Sequence, residues 1–310
     1  MAQNGRRSGF LGPPSLAATI AMLLYSNTVP NGFVFDDHRA IEGNIQVQTR
    51  QSWASLLTTD FWGTPLTSAR SHHSYRPLAV MSLRADAIIA GGRPALFHAV
   101  NALLHAANTW LVWLHAADAL QGRSAALAAA LLFAAHPVNS EAVAYCVGRA
   151  DLLAAMFGLA GLRLHTMATS AARGIPSAGH RSTWPAPALR LACVCCLTLA
   201  LASKETSLVL LPACVVNDLV QLMPRARRPR RITTILGAVG PGWLCLSALA
   251  GGYVWLRALY VGPIRNQFRR LDNPIPSVPT AAGRTLACAH VHVVGASLLL
   301  WPASLSADYS

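Results

Sequence analysis

The stretch SGFLGPPSLAATIAMLLYSNTVPNGFVF, residues 8–35, contains no charged side chain, and Asp36 and Asp37 follow it directly. A membrane-spanning helix needs about 20 apolar residues, at a rise of about 1.5 Å each. The stretch therefore predicts a first membrane span, with the acidic dyad at the point where that span meets water. Two adjacent carboxylates at such an exit are costly unless they are solvated, paired or used in chemistry.

The composition of the 310-residue chain is that of a membrane protein. Hydrophobic residues make up 53%, the mean hydropathy is +0.39, and charged residues make up only 12%, whereas soluble domains carry about 25%. Further uncharged windows cover residues 98–117, 124–140, 232–256 and 285–307. We therefore predict an all-α polytopic membrane protein, with residues 1–310 forming a single membrane domain of about eight transmembrane helices.

The net charge of +13 invites a nucleic-acid interpretation, which the distribution of the basic residues does not favour. Apart from Lys204 they are arginines scattered between apolar windows, and their densest group lies between Arg225 and Arg231. A basic run beside a membrane segment is typical of a cytoplasmic loop. We expect the lipid bilayer, and no nucleic acid, as the partner of this charge.

The basic residues also predict which loops share a side of the membrane. Arg6 and Arg7 place the amino terminus in the cytoplasm, so the first span runs outward and the dyad is lumenal. Lumenal loops then follow at about residues 36–97, 136–151, 203–206 and 261–284. Within the first of them, residues 78–92 are predicted to form an interfacial helix, because Arg84 and Asp86 would be costly at the bilayer centre.

Further boundaries follow from the distribution of charge and from local signals. Lys204 and Glu205 are predicted to form a turn between two spans, because a single span would leave the arginines at 225–231 in the lumen. A helix is expected to break near His136 and Pro137. We expect a short lumenal connection at 139–151, a cytoplasmic loop at 174–190, and an eighth span after a lumenal loop that ends at Arg284.

This topology places ionisable groups that are distant in sequence on one face of the membrane. They are Asp36, Asp37, Asp60, His72, His136, Glu141, Arg149, Asp151, Lys204 and Arg265. A carboxylate base beside cationic groups at a bilayer surface suits group transfer from a lipid-linked phosphate. The arrangement therefore indicates a site at the lumenal rim.

Eight short motifs between residues 33 and 274 resemble, in order, those of the transmembrane and tetratricopeptide-repeat containing (TMTC) family. They are Phe33-Val34-Phe35-Asp36-Asp37, Asp60-Phe61-Trp62-Gly63, Ser74-Tyr75-Arg76-Pro77-Leu78, Phe97-His98 with Asn101 and His105, His136-Pro137 with Glu141-Ala142-Val143, Gly148-Arg149-Ala150-Asp151-Leu152-Leu153, Lys204-Glu205 and Asp272-Asn273-Pro274. The resemblance implies a GT-C-like transmembrane domain whose first lumenal loop carries short interfacial helices. The tetratricopeptide repeats typical of the family are not found in this sequence.

The resemblance also implies an activity, in the multi-pass setting of the endoplasmic reticulum membrane. Mannose would pass, with inversion, from dolichyl phosphate mannose to Ser or Thr hydroxyls of a lumenal or secretory acceptor protein. Asp36 or Asp37 would be the catalytic base, and only one base is needed. The residues expected to bind substrate or lipid phosphate are Arg149, Lys204, Arg76, Glu141, Asp151 and His136.

Structural interpretations of these residues stay open beside the catalytic one. The dyad could cap a helix or be solvated, Arg149 could pair with Asp151 or Glu141, and Lys204 could pair with Glu205. The alternative function is that of a non-catalytic membrane adaptor or a truncated remnant of such an enzyme. A transporter is less favoured, because the symmetric pairs of broken helices expected of one are not evident.

We predict no cofactor, although a divalent cation held by the dyad stays open. The seven cysteines lie mostly in apolar windows and include no CxxC pair. Neither a zinc site nor a disulfide framework is therefore predicted.

Overall fold

The computed structural model describes residues 12–48, 51–120, 122–174, 183–222, 232–262, 274–302 and 305, and most of these residues are helical. The α-helices are α1 Pro13–Leu24, α2 Ile45–Gln48, α3 Pro77–Ala90, α4 Pro94–Leu120, α5 Arg123–Ala135, α6 Asn139–Ala144, α7 Arg149–Ala172, α8 Ala186–Ser203, α9 Leu210–Leu222, α10 Ile232–Leu256 and α11 Ala281–Leu300. Across these ranges no β-strand forms, so the predicted all-α class is confirmed.

Four helices in the described ranges are long and apolar enough to cross a membrane. They are Cys146–Ala172, Ala186–Ser203, Val239–Val261 and Ala281–Leu300, which is compatible with a multi-pass membrane protein. Helix α4 has comparable length, with 27 residues, but it buries His98, Asn101, His105 and Asn108, and these polar side chains lower its hydropathy. The predicted number of about eight spans stays a prediction.

The first helix is shorter than the uncharged stretch at 8–35 suggests. Helix α1 has 12 described residues and so rises about 18 Å, below the roughly 30 Å of a hydrocarbon core. Just beyond its last residue, side-chain hydroxyl groups bond to backbone carbonyls near the helix end. Ser26 Oγ donates to the Leu23 carbonyl at 2.8 Å, and Thr28 Oγ1 donates to the Tyr25 carbonyl at 2.7 Å. Such local bonds compete with helix continuation.

The helices pack in two groups, α1 with α4 and α5, and α7 with α8, α9 and α10; the contact between α4 and α7 joins the groups. Helix α1 lies on α4 and α5, α4 contacts α7, and α7 packs along α8 and against α9 and α10. Glycines on α7 let its neighbours approach closely. A Cβ at Gly158 would lie 2.3 Å from Leu210 Cδ1, and one at Gly161 would lie 2.9 Å from Leu197 Cδ2.

The part of the first loop that precedes α3 packs against α3 and the start of α4. It contains helical turns at His38–Glu42 and Trp53–Thr58 on either side of α2. An apolar cluster beneath it includes Ile41, Leu56, Phe61, Leu83, Phe97 and Cys146. The loop is therefore a packed part of the fold, and its position relative to a membrane surface stays a prediction.

The two charges on α3 are buried in the protein. Arg84 is 2% exposed, donates to the carbonyls of Gln51 and Ser52, and lies 4.5 Å above the Trp53 ring. Asp86 is 6% exposed and pairs with a residue of α7 described below. The protein itself therefore satisfies both charges.

Several predicted boundaries agree with the structure and two need correction. Helix α5 ends before His136 and α8 ends before Lys204, as expected. The predicted connection at 139–151 instead contains α6, and α7 already begins at Arg149. The predicted loop at 174–190 is helical from Ala186, with Pro187 in the first turn, where its missing N–H costs no helical hydrogen bond.

Other predictions lie outside the described residues. They concern the arginines at 225–231, Arg265, and Asp272 with Asn273.

The end of α5 contacts the last turn of α11, where His136 Nε2 donates to the Leu299 carbonyl at 3.1 Å. The direction in which the predicted eighth span crosses a membrane stays a prediction.

Gly148→Ala should destabilise the fold, because a Cβ at this position would lie 2.3 Å from the Ala142 carbonyl oxygen and 2.7 Å from the Ala142 Cα. Backbone atoms must then move, and overpacking of this kind costs about 1–3 kcal/mol. Gly251→Ala is the matched control, since nothing lies within 4 Å of its added methyl. Thermal unfolding in detergent should show a lower midpoint for Gly148→Ala alone. Equal midpoints would contradict the close packing at Gly148.

Candidate functional site

Segments that are far apart in sequence meet at one end of the helical bundle. We call this end the dyad rim and define it by the side chains of Asp36, Asp37, Arg76, Tyr145, Asp151, Lys204, Glu205 and Arg257. Their contacts form three groups, which are joined to one another through the backbone of α7 and of the turn after α8. They come from the first loop, from the segment that leads into α7 together with its first turn, from the turn after α8, and from the residue that follows α10. Four parts of the chain thus supply one candidate site.

Asp37 ties the first loop to the start of α7. Its side chain is 0% exposed, its Oδ1 accepts from Val147 N–H at 2.9 Å, and its Oδ2 accepts from Val34 N–H at 3.3 Å. Burial raises the pKa of Asp37, and the backbone hydrogen bonds oppose that rise. A carboxylate held in this way has no oxygen free to meet a large substrate.

Asp36 is exposed, although it adjoins a buried neighbour. Phe35 before it has φ of 45°, a left-handed conformation that is unusual for a bulky residue. The Asp36 N–H donates to the Tyr145 hydroxyl oxygen at 2.7 Å. Burial, together with the charges of Asp36 and Asp37, raises the pKa of Tyr145 to about 12. The turn therefore presents one carboxylate of the dyad to solvent and seals the other.

Arg149 is fully buried, with 0% exposure, behind the dyad rim. Its Nη2 donates to Asp86 Oδ2 at 2.7 Å and to the Phe97 carbonyl at 2.9 Å, and its Nη1 donates to Ser82 Oγ at 2.7 Å. Its Nε donates to Asn101 Oδ1. These bonds join α7 to α3 and α4, so Arg149 is not placed where a lipid phosphate could reach it.

The structure replaces the predicted partners of the basic residues. Asp86, and not Asp151 or Glu141, pairs with Arg149. Lys204 does not pair with its neighbour Glu205, because its Nζ contacts Asp151 Oδ1 at 2.6 Å and Oδ2 at 2.7 Å. A helical residue cannot face the residue two positions on, which excludes a pair between positions 149 and 151.

Glu205 holds two arginines at the dyad rim. Its Oε2 accepts from Arg76 Nε at 2.9 Å, and its Oε1 lies 4.0 Å from Arg257 Nη1. Arg257 also donates to the His73 carbonyl at 3.1 Å. This group joins the first loop to the end of α10 and contains two cations for one carboxylate.

The remaining predicted residues lie apart from one another. Glu141 is exposed in the first turn of α6, and His136 is held by the α11 contact. Asp60 is 1% exposed and organises the first loop. It accepts hydrogen bonds from Trp62 N–H, Thr64 N–H, Ser71 Oγ and His72 N–H. Asp60 is therefore a structural residue.

The two carboxylates of the dyad do not point toward a common position at which both could bind one cation. Asp37 uses both oxygens on backbone N–H groups, whereas Asp36 is exposed. Across the part of the chain that the structure describes, no three His, Cys, Asp or Glu side chains gather in an arrangement that could hold a metal ion.

Comparison with known proteins identifies the family. Protein O-mannosyl-transferase Tmtc2 of Drosophila melanogaster is 37% identical over 296 residues, which are 94% of this chain and 30% of that protein. A family profile described as "Protein O-mannosyl-transferase TMTC, DUF1736" matches residues 263–310. The chain belongs to the TMTC family.

Other TMTC relatives match over nearly the whole chain. Protein O-mannosyl-transferase Tmtc1 of Drosophila melanogaster is 34% identical over 94% of this chain, and human Protein O-mannosyl-transferase TMTC2 is 32% identical over 95% of it. These alignments cover 33% and 35% of those proteins, so the chain spans about a third of the length of the TMTC relatives that it matches. No solved structure gives a significant match.

Three residues of this TMTC chain were missed by sequence reasoning. Asp86 was not predicted as the partner of Arg149, although a charge on an apolar helix by itself indicates that a partner is needed. Tyr145 gave no signal, since it differs from other aromatics near a helix start only through its contact with Asp36. Arg257 follows an apolar window, and its contact with Glu205 depends on how α10 packs.

Asp86→Asn should cost far more stability than Asp151→Asn. The first change leaves a buried guanidinium uncompensated, which typically costs about 3–5 kcal/mol. The second breaks a partly exposed pair, which is worth about 0–1 kcal/mol. Unfolding midpoints of the two variants in the same detergent compare them directly. A loss of stability no greater in Asp86→Asn than in Asp151→Asn would contradict the structural role of the Arg149 pair.

Proposed function

We propose that this chain carries a mannosyltransferase domain that acts at the lumenal face of the endoplasmic reticulum membrane, with its amino terminus in the cytoplasm. The donor is dolichyl phosphate mannose, the acceptor is a Ser or Thr hydroxyl of a lumenal or secretory protein, and the fold is GT-C-like. The names of the TMTC relatives support protein O-mannosyl transfer. The observation that carries the proposal is an exposed carboxylate, Asp36, held by its N–H in a fixed turn, while its neighbour Asp37 is bonded to Val147 just before α7.

Asp36 is the base in this proposal because only this member of the dyad is accessible. The acceptor oxygen attacks the mannose anomeric carbon while the bond from that carbon to the phosphate oxygen breaks. The hydroxyl proton passes to the Asp36 carboxylate, and the lipid phosphate leaves with the bonding electrons. One displacement inverts the anomeric configuration and requires no second carboxylate as nucleophile.

Lys204 is the cation best placed to stabilise the departing phosphate. Asp37 contacts Val147, and Asp151, which holds Lys204, lies four residues further on, about 6 Å of helical rise. The Lys204 side chain is 22% exposed and that of Asp151 is 46% exposed, so an anion can reach them. Arg76 and Arg257 add positive charge at the same rim, with Glu205 fixing their positions.

Asp36→Asn should reduce mannose transfer at least about 100-fold, the usual contribution of a general base. Transfer from dolichyl phosphate mannose to a Ser/Thr peptide is measured with the full chain in proteoliposomes. Glu42→Gln is the matched control, because Glu42 is an exposed carboxylate of the same loop that pairs only with His38 among the described residues. Wild-type activity in Asp36→Asn would exclude Asp36 as the base. A folded wild-type chain that binds the donor without transfer would instead indicate the adaptor function.

Lys204 is the single lysine of the sequence, which permits an assay that does not depend on turnover. Dolichyl phosphate added to the chain should slow acetylation of Lys204 by an amine-specific reagent, because a bound phosphate covers Nζ. The amino-terminal amine is the internal control and should react at an unchanged rate. Peptide mass spectrometry reports both sites. Equal acetylation of Lys204 with and without the lipid would contradict its role as a phosphate ligand.

A further inference from the structure

Hydrogen bonds on both sides of Tyr145 connect the buried ion pair to the backbone N–H of Asp36. Arg149, held by Asp86, donates from Nε to Asn101 Oδ1. Asn101 donates from Nδ2 to the Tyr145 carbonyl at 3.0 Å. The Tyr145 hydroxyl oxygen then accepts the Asp36 N–H at 2.7 Å.

The segment around Tyr145 is fixed from both sides. Asn101 Nδ2 also donates to the Val143 carbonyl at 3.3 Å, on the side toward α6. On the side toward α7, Val147 N–H donates to Asp37. The Tyr145 ring is therefore mounted on backbone that cannot shift independently of α4 and the first loop.

The turn that carries Asp36 depends on outside support. Phe35 has φ of 45°, and conformations of this kind persist only where surrounding contacts hold them. Asp37 N–H closes the turn on the Val34 carbonyl at 2.9 Å, and the Tyr145 hydroxyl binds the peptide at its exposed corner. Because its oxygen accepts the Asp36 N–H, the hydroxyl keeps its own proton to donate, and the dyad carboxylates are the nearby anionic acceptors.

We propose that Tyr145 is a positioning residue that orients the Asp36 carboxylate toward the acceptor hydroxyl. It does so by accepting the Asp36 N–H and by donating a hydrogen bond from its hydroxyl to the Asp36 carboxylate. This inference rests on the proposed function, since it assigns Tyr145 a part in the same transfer. The buried Arg149 pair contributes indirectly, as the anchor of the segment that holds Tyr145.

Tyr145→Phe tests the proposal, with Tyr25→Phe as the matched control on a ring that packs edge-on against His105 at the end of α1. In proteoliposomes, kcat of Tyr145→Phe should fall about 10- to 100-fold, the effect of a slightly misplaced catalytic group, while the donor KM changes less than about twofold. Asp36→Asn combined with Tyr145→Phe should be no slower than Asp36→Asn alone, because Tyr145 acts through Asp36. Tyr25→Phe should retain wild-type kcat.

Amide hydrogen exchange provides a readout that does not require turnover. The peptide containing Asp36 should exchange at least about 10-fold faster at that amide in Tyr145→Phe, because the N–H loses its acceptor. Wild-type kcat together with wild-type exchange in Tyr145→Phe would overturn the proposal. If the wild-type chain transfers no mannose, the proposed function fails, and exchange at Asp36 alone then decides whether Tyr145 fixes this turn.

Discussion

The guanidinium of Arg149 lies fully buried where α3, α4 and α7 meet, and the arrangement of the dyad rim depends on it. An isolated charge in such a place is unfavourable by several kcal/mol, so it persists only with a counter-charge and with its remaining donors satisfied. Asp86 supplies the charge, and acceptors on α3 and α4 supply the rest. Because the bonds are directional, they fix where α7 begins relative to α4 and therefore where Val147 and Tyr145 meet the first loop.

Local signals in the sequence were sufficient for the helix breaks. Helix α5 ends at His136 because a residue before proline is disfavoured in the helical conformation, and α8 ends before Lys204. Neither signal is general, since Pro241 lies inside α10 and Arg84 and Asp86 lie inside α3. The partners of the charges could not be predicted in the same way. Sequence spacing pointed to Asp151 for Arg149, yet the two lie on different sides of α7, and the actual partner is 63 positions away. That distance is bridged by packing between α3 and α7, which sequence periodicity does not report.

For the dyad, too, the local sequence predicts only part of the arrangement, and contacts between distant segments determine the rest. Two adjacent residues in a tight turn point in different directions, so the sequence predicts that one carboxylate is structural and the other available. Which one is structural depends on Val147, more than a hundred positions away, which binds Asp37 and leaves Asp36 to solvent. The contact between His136 and the Leu299 carbonyl was likewise beyond the sequence, because it depends on how α11 packs against α5.

Burial determines which of the basic residues could serve a phosphate. An incoming anion must compete with the carboxylate that already holds the cation, and in a partly exposed pair this competition is easy, because such pairs are worth only about 0–1 kcal/mol. Lys204 and Asp151 form a pair of that kind. The Arg149 pair is the opposite case, since displacing Asp86 would leave two buried charges without partners and would loosen three helices. The two cations therefore differ in their surroundings: Lys204 belongs to a partly exposed pair that an anion can reach, whereas Arg149 is committed to the fold.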